Sequence, residues 1–167
     1  MRTICSFLLG LALALPCVAQ APLVPGQPDT ANRYQAIHAK ASAGETVTVQ
    51  QPASPSTFAQ FEVAVINCST AGVVSFAQNG TAATSTKLAT TALNRSQAPS
   101  QATAWSGSNV GGGTAVGIPI NIPALGTVTV DLSKFYLDIN SGTAANFSVT
   151  VTSGCGASNI MIQWTEH

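Results

Sequence analysis

The run FSVTVT at residues 147–152 alternates apolar and hydroxyl side chains without a break. A period of two places Phe147, Val149 and Val151 on one face of a strand and the hydroxyl residues on the other, which is the pattern of a half-buried β-strand. Its apolar residues are aromatic or β-branched, the types that fit a pleated sheet. The stretch therefore predicts β-structure. No segment of the chain has a pattern that requires a helix of useful length.

The same period recurs along the chain after Gly44. Strand patterns occupy residues 46–49, 61–67, 73–78, 84–93, 114–122, 127–132, 135–139 and 159–166, in addition to residues 147–152. Phe61, Val63 and Val65 are expected to share one apolar face, and Ile160, Ile162 and Trp164 another, which would place Trp164 in the core. The patterns make about eight strands, divided by turn residues at the spacing of a sandwich. We therefore predict an all-β fold, a single antiparallel β-sandwich of Ig-like or jelly-roll type, for residues 44–167.

Turn residues and prolines give finer expectations. Asn79-Gly80 predicts a hairpin from residues 73–78 into residues 84–93, because both residue types tolerate a positive φ. Pro119 and Pro123 cannot donate to a ladder, so the strand at 114–122 is expected at a sheet edge. Residues 94–113, rich in Ser, Gln and Gly and containing Trp105, are expected to form a loop.

Two segments resemble pieces of bacterial secreted Ig-like sandwiches: IPALGTVTV at residues 122–130 and NFSVTV at residues 146–151. The resemblance implies a sandwich, and such folds serve adhesins, fibre subunits and appended modules. Ser153, two positions before Cys155, stands where an antibody-type domain would carry a tyrosine.

Residues 1–19 have the three parts of a secretory signal. Arg2 supplies the positive charge, residues 7–15 form a short apolar run, and Pro16 precedes a small-residue stretch that ends at Ala19. Acylation at Cys17, as in a lipoprotein signal, is the rival interpretation, but Pro16 stands where a small flexible residue is expected. No second apolar run follows, so we expect a protein that is secreted or held at the cell surface without a membrane span.

Removal of the signal would leave two of the four cysteines, Cys68 and Cys155. Two cysteines in an exported chain most simply form a disulfide. We place them at adjacent strand ends, in glycine-containing turns. Free thiols are the alternative, and a metal site is disfavoured because no other Cys or His lies nearby in sequence.

The composition is poor in charge. Only 7% of residues are Asp, Glu, Lys or Arg, against about 25% in typical soluble domains, and the six basic and six acidic side chains cancel. No basic patch exists for phosphates, so nucleic acid is not expected as a partner. A neutral surface of hydroxyl and amide groups lacks the repulsion that keeps monomers apart, which favours packing against copies of the same chain.

Residues 20–43 are expected to form an extended leader or a donor strand. Prolines at 22, 25 and 28 exclude helix, and Tyr34, Ile37, Ala39 and Ala41 offer apolar side chains that could line the groove of a neighbouring copy, near its edge at 114–122. The alternatives are a disordered leader and a strand that completes its own sheet.

No catalytic, metal or cofactor pattern emerges. His38 and His167 are the only histidines, and the carboxylates Glu62, Asp131 and Asp138 are better read as solvent-facing charges than as a glycosidase pair. Residues 138–149 fail the calcium-loop pattern at its last position, which is Val149. Trp105 could stack on a sugar ring, although a lone loop tryptophan more often covers a core.

These observations lead to two functional hypotheses and argue against an enzyme. The first is an extracellular structural protein that self-assembles as a subunit of a fibre, surface layer or matrix. The second is a secreted monomeric binding module or adhesin, for a glycan or a cell surface.

Overall fold

A computed structural model describes residues 32–41, 43–80, 85–94, 97–108, 113–137, 145–156 and 158–167 of the chain. The predicted signal at residues 1–19, the first part of the leader, Asp138 and the turn at 140–142 lie outside these ranges. The described residues form thirteen β-strands and no helix. They therefore include no helix with the length and apolarity of a membrane span.

Eight of the strands in the described ranges have six residues or more, in line with the eight or so predicted. They are β1 (Asn32–Ala41), β2 (Glu45–Gln50), β3 (Ala59–Cys68), β4 (Gly72–Gln78), β7 (Thr103–Ser108), β10 (Gly126–Asp131), β12 (Asn146–Gly154) and β13 (Ser158–Glu166). Five short strands complete the set: β5 (Thr86–Lys87), β6 (Thr90–Ala92), β8 (Thr114–Ala115), β9 (Ile120–Ile122) and β11 (Tyr136–Leu137).

Two antiparallel sheets pack face to face, as predicted. The first has the strand order β10-β3-β13-β1-β6, with β11 also paired to β3. The second has the order β5-β7-β2-β12-β4-β8, with β9 also paired to β4. Successive long strands alternate between the two sheets, both from β1 to β4 and from β10 through β12 to β13. Most of the long connections therefore cross from one sheet to the other. The expectation that prolines mark residues 114–122 as an edge is confirmed, because β8 and β9 lie on the outer side of β4.

The core follows the alternation seen in the sequence. Phe147, Val149 and Val151 on β12 are fully buried, and so is Trp164 on β13, which confirms it as a core residue. The Phe147 ring is central: its centroid lies 4.5 Å from that of Phe61, 6.0 Å from that of Phe135 and 6.3 Å from that of Phe76. These rings join residues of both sheets, so the aromatic side chains hold the two layers together.

A β-bulge changes the face of β3. Gln163 of β13 pairs with Val63, but the next residue, Trp164, pairs with Phe61, so Glu62 is the extra residue. Phe61 points into the core as expected, whereas beyond the bulge Ala64 and Ile66 are buried and Val63 and Val65 are only partly buried. The expectation that Phe61, Val63 and Val65 share one apolar face is therefore wrong, since one inserted residue reverses the alternation.

Two local expectations fail because strands pair with distant partners. The predicted loop at residues 94–113 contains β7, which pairs along its whole length with β2. Asn79 has the positive φ of a turn, 55°, but β4 continues into no hairpin with residues 84–93. The strand expected there is two short strands in different sheets: β5 pairs with β7, and β6 pairs with β1.

The disulfide joins Cys68 to Cys155, with the Cα atoms 4.6 Å apart and both side chains buried. The two cysteines lie at the end of β3 and just after β12, adjacent strand ends as expected, and these two strands belong to facing sheets. Gly154, Cys155 and Gly156 all have positive φ. Side chains at these glycines would collide with residues 69–72, so glycine is required on both sides of the cysteine.

Strand β1 belongs to the chain's own first sheet in this structure. It pairs with β13 from Asn32 to Ala41 and with β6 from Tyr34 to Ala36. Completion of its own sheet is one of the alternatives considered for residues 20–43. Tyr34 is buried against Trp164, whereas Ile37 is half exposed on the opposite face, so the predicted donor residues divide between the two faces of the strand.

Candidate interaction surfaces

The outer face of the first sheet carries rows of side chains that cross four strands. One row runs from Thr129 on β10 through Val65 on β3 and Met161 on β13 to Ile37 on β1. The row on one side consists of Thr127, Asn67, Asn159 and Ala39, and the row on the other side consists of Asp131, Val63, Gln163 and Gln35. Asp131 is the one charged residue of these three rows. This face is therefore a mixture of aliphatic groups and uncharged hydrogen-bonding groups.

Charges on this face are confined to one end. Glu62, on the bulge, accepts a hydrogen bond from Nε of Arg33 at 2.8 Å and another from the hydroxyl of Thr165. The bulge directs the Glu62 carboxylate to the outer face, where the guanidinium of Arg33, on β1, reaches across β13 to bind it. The bulge thus gives Glu62 a local partner and leaves the middle of the face without charge.

Strand β10 forms one edge of the first sheet. The Leu132 N–H donates to the Glu62 carbonyl at 2.9 Å. Because backbone N–H and C=O groups point to alternate sides along a strand, the even-numbered residues of β10 direct these groups toward β3. Thr127, Thr129 and Asp131 therefore direct their N–H and C=O groups away from the sheet, and their side chains are exposed. No strand among the described residues pairs with this side of β10.

The turn that leads into β10 is unusual in exposing a large apolar side chain. Leu125 is 88% exposed and has φ of 55°, a conformation that costs a non-glycine residue about 1 kcal/mol or more. Gly126 closes the turn by donating its N–H to the Pro123 carbonyl at 3.0 Å. The open strand edge is thus flanked by a protruding leucine.

A second, shorter open edge lies on β1. The Leu93 N–H donates to the Arg33 carbonyl at 2.9 Å, so odd-numbered residues of β1 direct their backbone groups toward β6. The pairing with β6 ends at Ala36, and the described strands offer no partner to Ile37 and Ala39 on that side. By contrast, the edge expected to accept a donated strand is broken, because residues 116–119 separate β8 from β9.

Trp105 lies on β7, not in a loop, and its ring is already in contact with the protein. Nζ of Lys87 lies 6.0 Å from the ring centroid, and the indole N–H donates to Oγ1 of Thr103 at 3.0 Å. A sugar stacked on this ring would have to share it with Lys87. A groove of about 700 Å³ opens beside Lys87, lined also by Tyr34 and by residues 97–100.

A buried carboxylate that sequence reasoning missed lies next to this groove. Glu166 accepts hydrogen bonds from the backbone N–H groups of Gln101 and Ala102, both at 3.0 Å, from the indole N–H of Trp164 at 3.2 Å and from the hydroxyl of Ser100. Three of these four donors belong to residues 100–102 and hold that segment against the end of β13, whereas Trp164 lies on β13 itself. Its role is structural, because the donors occupy both oxygens.

The hydroxyl of Tyr34 completes this cluster by donating to the Ala98 carbonyl at 2.7 Å. Burial raises the pKa of the Tyr34 phenol above its ordinary value, and the negative charge of Glu166 raises it further. The phenol is therefore held neutral, as a donor.

The acids and bases considered for catalysis are spread over the fold. Nε2 of His38 lies 2.7 Å from Oε2 of Glu45, a pair that links β1 to β2. The backbone N–H of Ser133, which donates to Oδ1 of Asp131 at 2.9 Å, lowers the pKa of that carboxyl, aided by the Ser133 hydroxyl and the Lys134 charge. A general acid needs the opposite shift.

Comparisons with protein-family models, with curated proteins and with solved structures find no match. The surfaces described above therefore have to be interpreted from their own geometry. Of the predicted site residues, Cys68 and Cys155 form the disulfide, Tyr34 and Ile37 lie on opposite faces of β1, which also contains Ala39 and Ala41, and Trp105 lies on β7 beside Lys87.

Proposed function

We propose that the chain is an exported structural protein that assembles with copies of itself into a fibre, surface layer or matrix. The observation that carries this proposal is the edge of β10. Proteins that remain monomeric usually protect such an edge with lysine, proline, a bulge or a covering segment. Strand β10 has the sequence GTVTVD, with no proline, no lysine and a single charge at its end.

The outer face beside this edge supports the same proposal. It exposes Ile37 and the row that joins it to Thr129, and its one ion pair, Arg33 with Glu62, lies at the end of the sheet. The middle of this face, as far as the structure describes it, carries no charged side chain. Contact between two such regions would therefore remove no charge from water, which is the costly step in bringing charged surfaces together.

Export is proposed on two grounds. Residues 1–19 have the features of a secretory signal, and the buried Cys68–Cys155 disulfide is of a kind that persists in oxidising compartments.

Sedimentation of residues 20–167 over a range of protein concentrations, with negative-stain microscopy of the same samples, tests the proposal. We expect oligomers or filaments that persist in 1 M NaCl, because main-chain hydrogen bonds and apolar contacts are not screened by salt as ion pairs are. A single monomeric species at every concentration would show that the proposal is wrong.

The alternative is a secreted binding module or adhesin. The observation that favours it is the groove lined by Lys87, whose Nζ lies 6.0 Å from the centre of the Trp105 ring. In that case the protein should remain monomeric, and a glycan ligand should quench or shift the fluorescence of Trp105. The variant Trp164→Phe would remove the signal of the buried tryptophan, so that the change could be assigned.

A further inference from the structure

The geometry of β10 points to the partner that its edge accepts: we infer that β10 pairs antiparallel with β10 of a second copy, centred on Thr129. The inference rests on the proposed self-assembly and specifies one contact within it. This two-fold contact closes at a dimer, so a fibre or layer needs a second contact, for which the outer face of the first sheet is available.

Hydrogen bonding defines the register. Only Thr127, Thr129 and Asp131 direct their backbone groups outward, so these residues must face one another across the contact. With Thr129 opposite Thr129 of the second copy, Thr127 stands opposite Asp131 at both ends. All three residues of each copy then exchange N–H···O bonds, about six in total. If the contact is centred one residue earlier or one residue later on both strands, fewer of these residues face one another and some of the hydrogen bonds are lost.

The side chains suit this register. Threonines face each other at its centre, a cross-strand pair that is favourable in sheets. Asp131 meets Thr127 and not its own copy, so no like charges are opposed. Val128 and Val130, partly buried at the rim of the core, come opposite each other and extend the inner layer across the contact. The first sheets of the two copies would then form one continuous sheet.

The chain's own segment before Asn32 is a less suitable occupant. Pro22, Pro25 and Pro28 have no backbone N–H, which limits the donors that residues 20–31 can offer to a strand. If this segment covered the edge, the wild-type protein would remain monomeric.

Charge substitutions at Thr129 test the inference. Thr129 is exposed and directs its N–H and C=O outward, so Thr129→Lys and Thr129→Glu should fold with wild-type circular dichroism and an unchanged urea midpoint. Each variant alone opposes like charges at the centre of the contact, and we expect its dissociation constant to rise at least tenfold. An equimolar mixture should restore association to near the wild-type level. Thr91→Lys, an exposed threonine on β6, is the matched control and should associate as the wild type does.

Cysteine trapping tests the register. The Cα atoms of a hydrogen-bonded antiparallel pair lie about 5.5 Å apart, within the range of a disulfide. Mild oxidation should therefore give a covalent dimer of Thr129→Cys and not of Thr127→Cys, whose partner is Asp131.

The outcomes separate this inference from the proposed function. If the wild type assembles and both charge variants assemble equally well, β10 is not the interface, although self-assembly stands. If the variants dissociate but mixing does not restore association, pairing about Thr129 is wrong. If the wild type is monomeric, both proposals are wrong.

Discussion

Replacing both Cys68 and Cys155 by alanine removes the covalent link between the two sheets. The bridge closes a loop with a sequence separation of 87 residues, which includes every strand from β4 to β12. In the chain-entropy model, a loop of this size restricts the unfolded chain by about 4–5 kcal/mol. Domains of this size are stable by about 5–15 kcal/mol, so the variant should lose a large part of its stability.

Urea unfolding followed by circular dichroism measures this loss. We expect a lower midpoint and a steeper dependence on urea, because the unfolded chain without the bridge expands further and exposes more surface. Thermal unfolding should show a Tm lower by about 15 °C. A loss below about 1 kcal/mol with unchanged β-structure would refute the reasoning, since it would mean that the bridge barely restricts the unfolded chain.

Two further predictions concern the cluster at the end of β13. Glu166→Ala leaves the N–H groups of Gln101 and Ala102 without their acceptor and should lower the free energy of unfolding, measured in urea, by about 3 kcal/mol or more. Glu166→Gln keeps one acceptor oxygen and should lower it clearly less. Equal losses of stability in the two variants would contradict this account. Because the pKa of Tyr34 is raised in the folded protein, the unfolded chain loses the phenolic proton at a lower pH. The contribution of Tyr34 to the free energy of unfolding is therefore complete below about pH 10 and falls above it, by up to about 1.4 kcal/mol per pH unit. The free energy of unfolding of Tyr34→Phe should depend less on pH in this range, and a dependence parallel to that of the wild type would show that Tyr34 does not titrate in this way.

The elements that the sequence predicted well are those with a strict period of two. Residues 147–152 alternate without interruption, and residues 159–166 do so except at Met161, so their inward faces, including Phe147 and Trp164, could be identified directly. The disulfide was predictable for a different reason: once the signal is set aside, only one intramolecular pairing of Cys68 with Cys155 remains.

The elements that were missed depend on partners distant in sequence. Strand β7 consists largely of Ala, Ser and Gly, which have little preference for strands, and it forms because β2 supplies a ladder along its whole length. The bulge at Glu62 leaves no mark in the local pattern, because the alternation on either side of it is regular. Tertiary pairing decides both features.

The candidate surfaces were predictable only in part. The poor charge content indicated a surface suited to self-association, and residues 127–132 were recognised as a strand. Which strand would lie at an open edge depended on the order of strands in the sheet, which a single sequence does not encode locally. Glu166 was overlooked because a carboxylate at the end of a terminal strand ordinarily faces water.

The two ends of the described domain lie side by side, since Asn32 pairs with Glu166 across β1 and β13. Tension applied to both ends would therefore separate this pair of strands one hydrogen bond at a time, at low force, without shearing the whole sheet. The extension would stop at the bridge, because only the chain before Cys68 and after Cys155 can be drawn out. The domain could lengthen to about 170 Å instead of the roughly 470 Å that an unbridged chain would reach. The chain between the two cysteines, which contains β4 to β12, could not be drawn out under load, and the released strands could pair again when the tension falls.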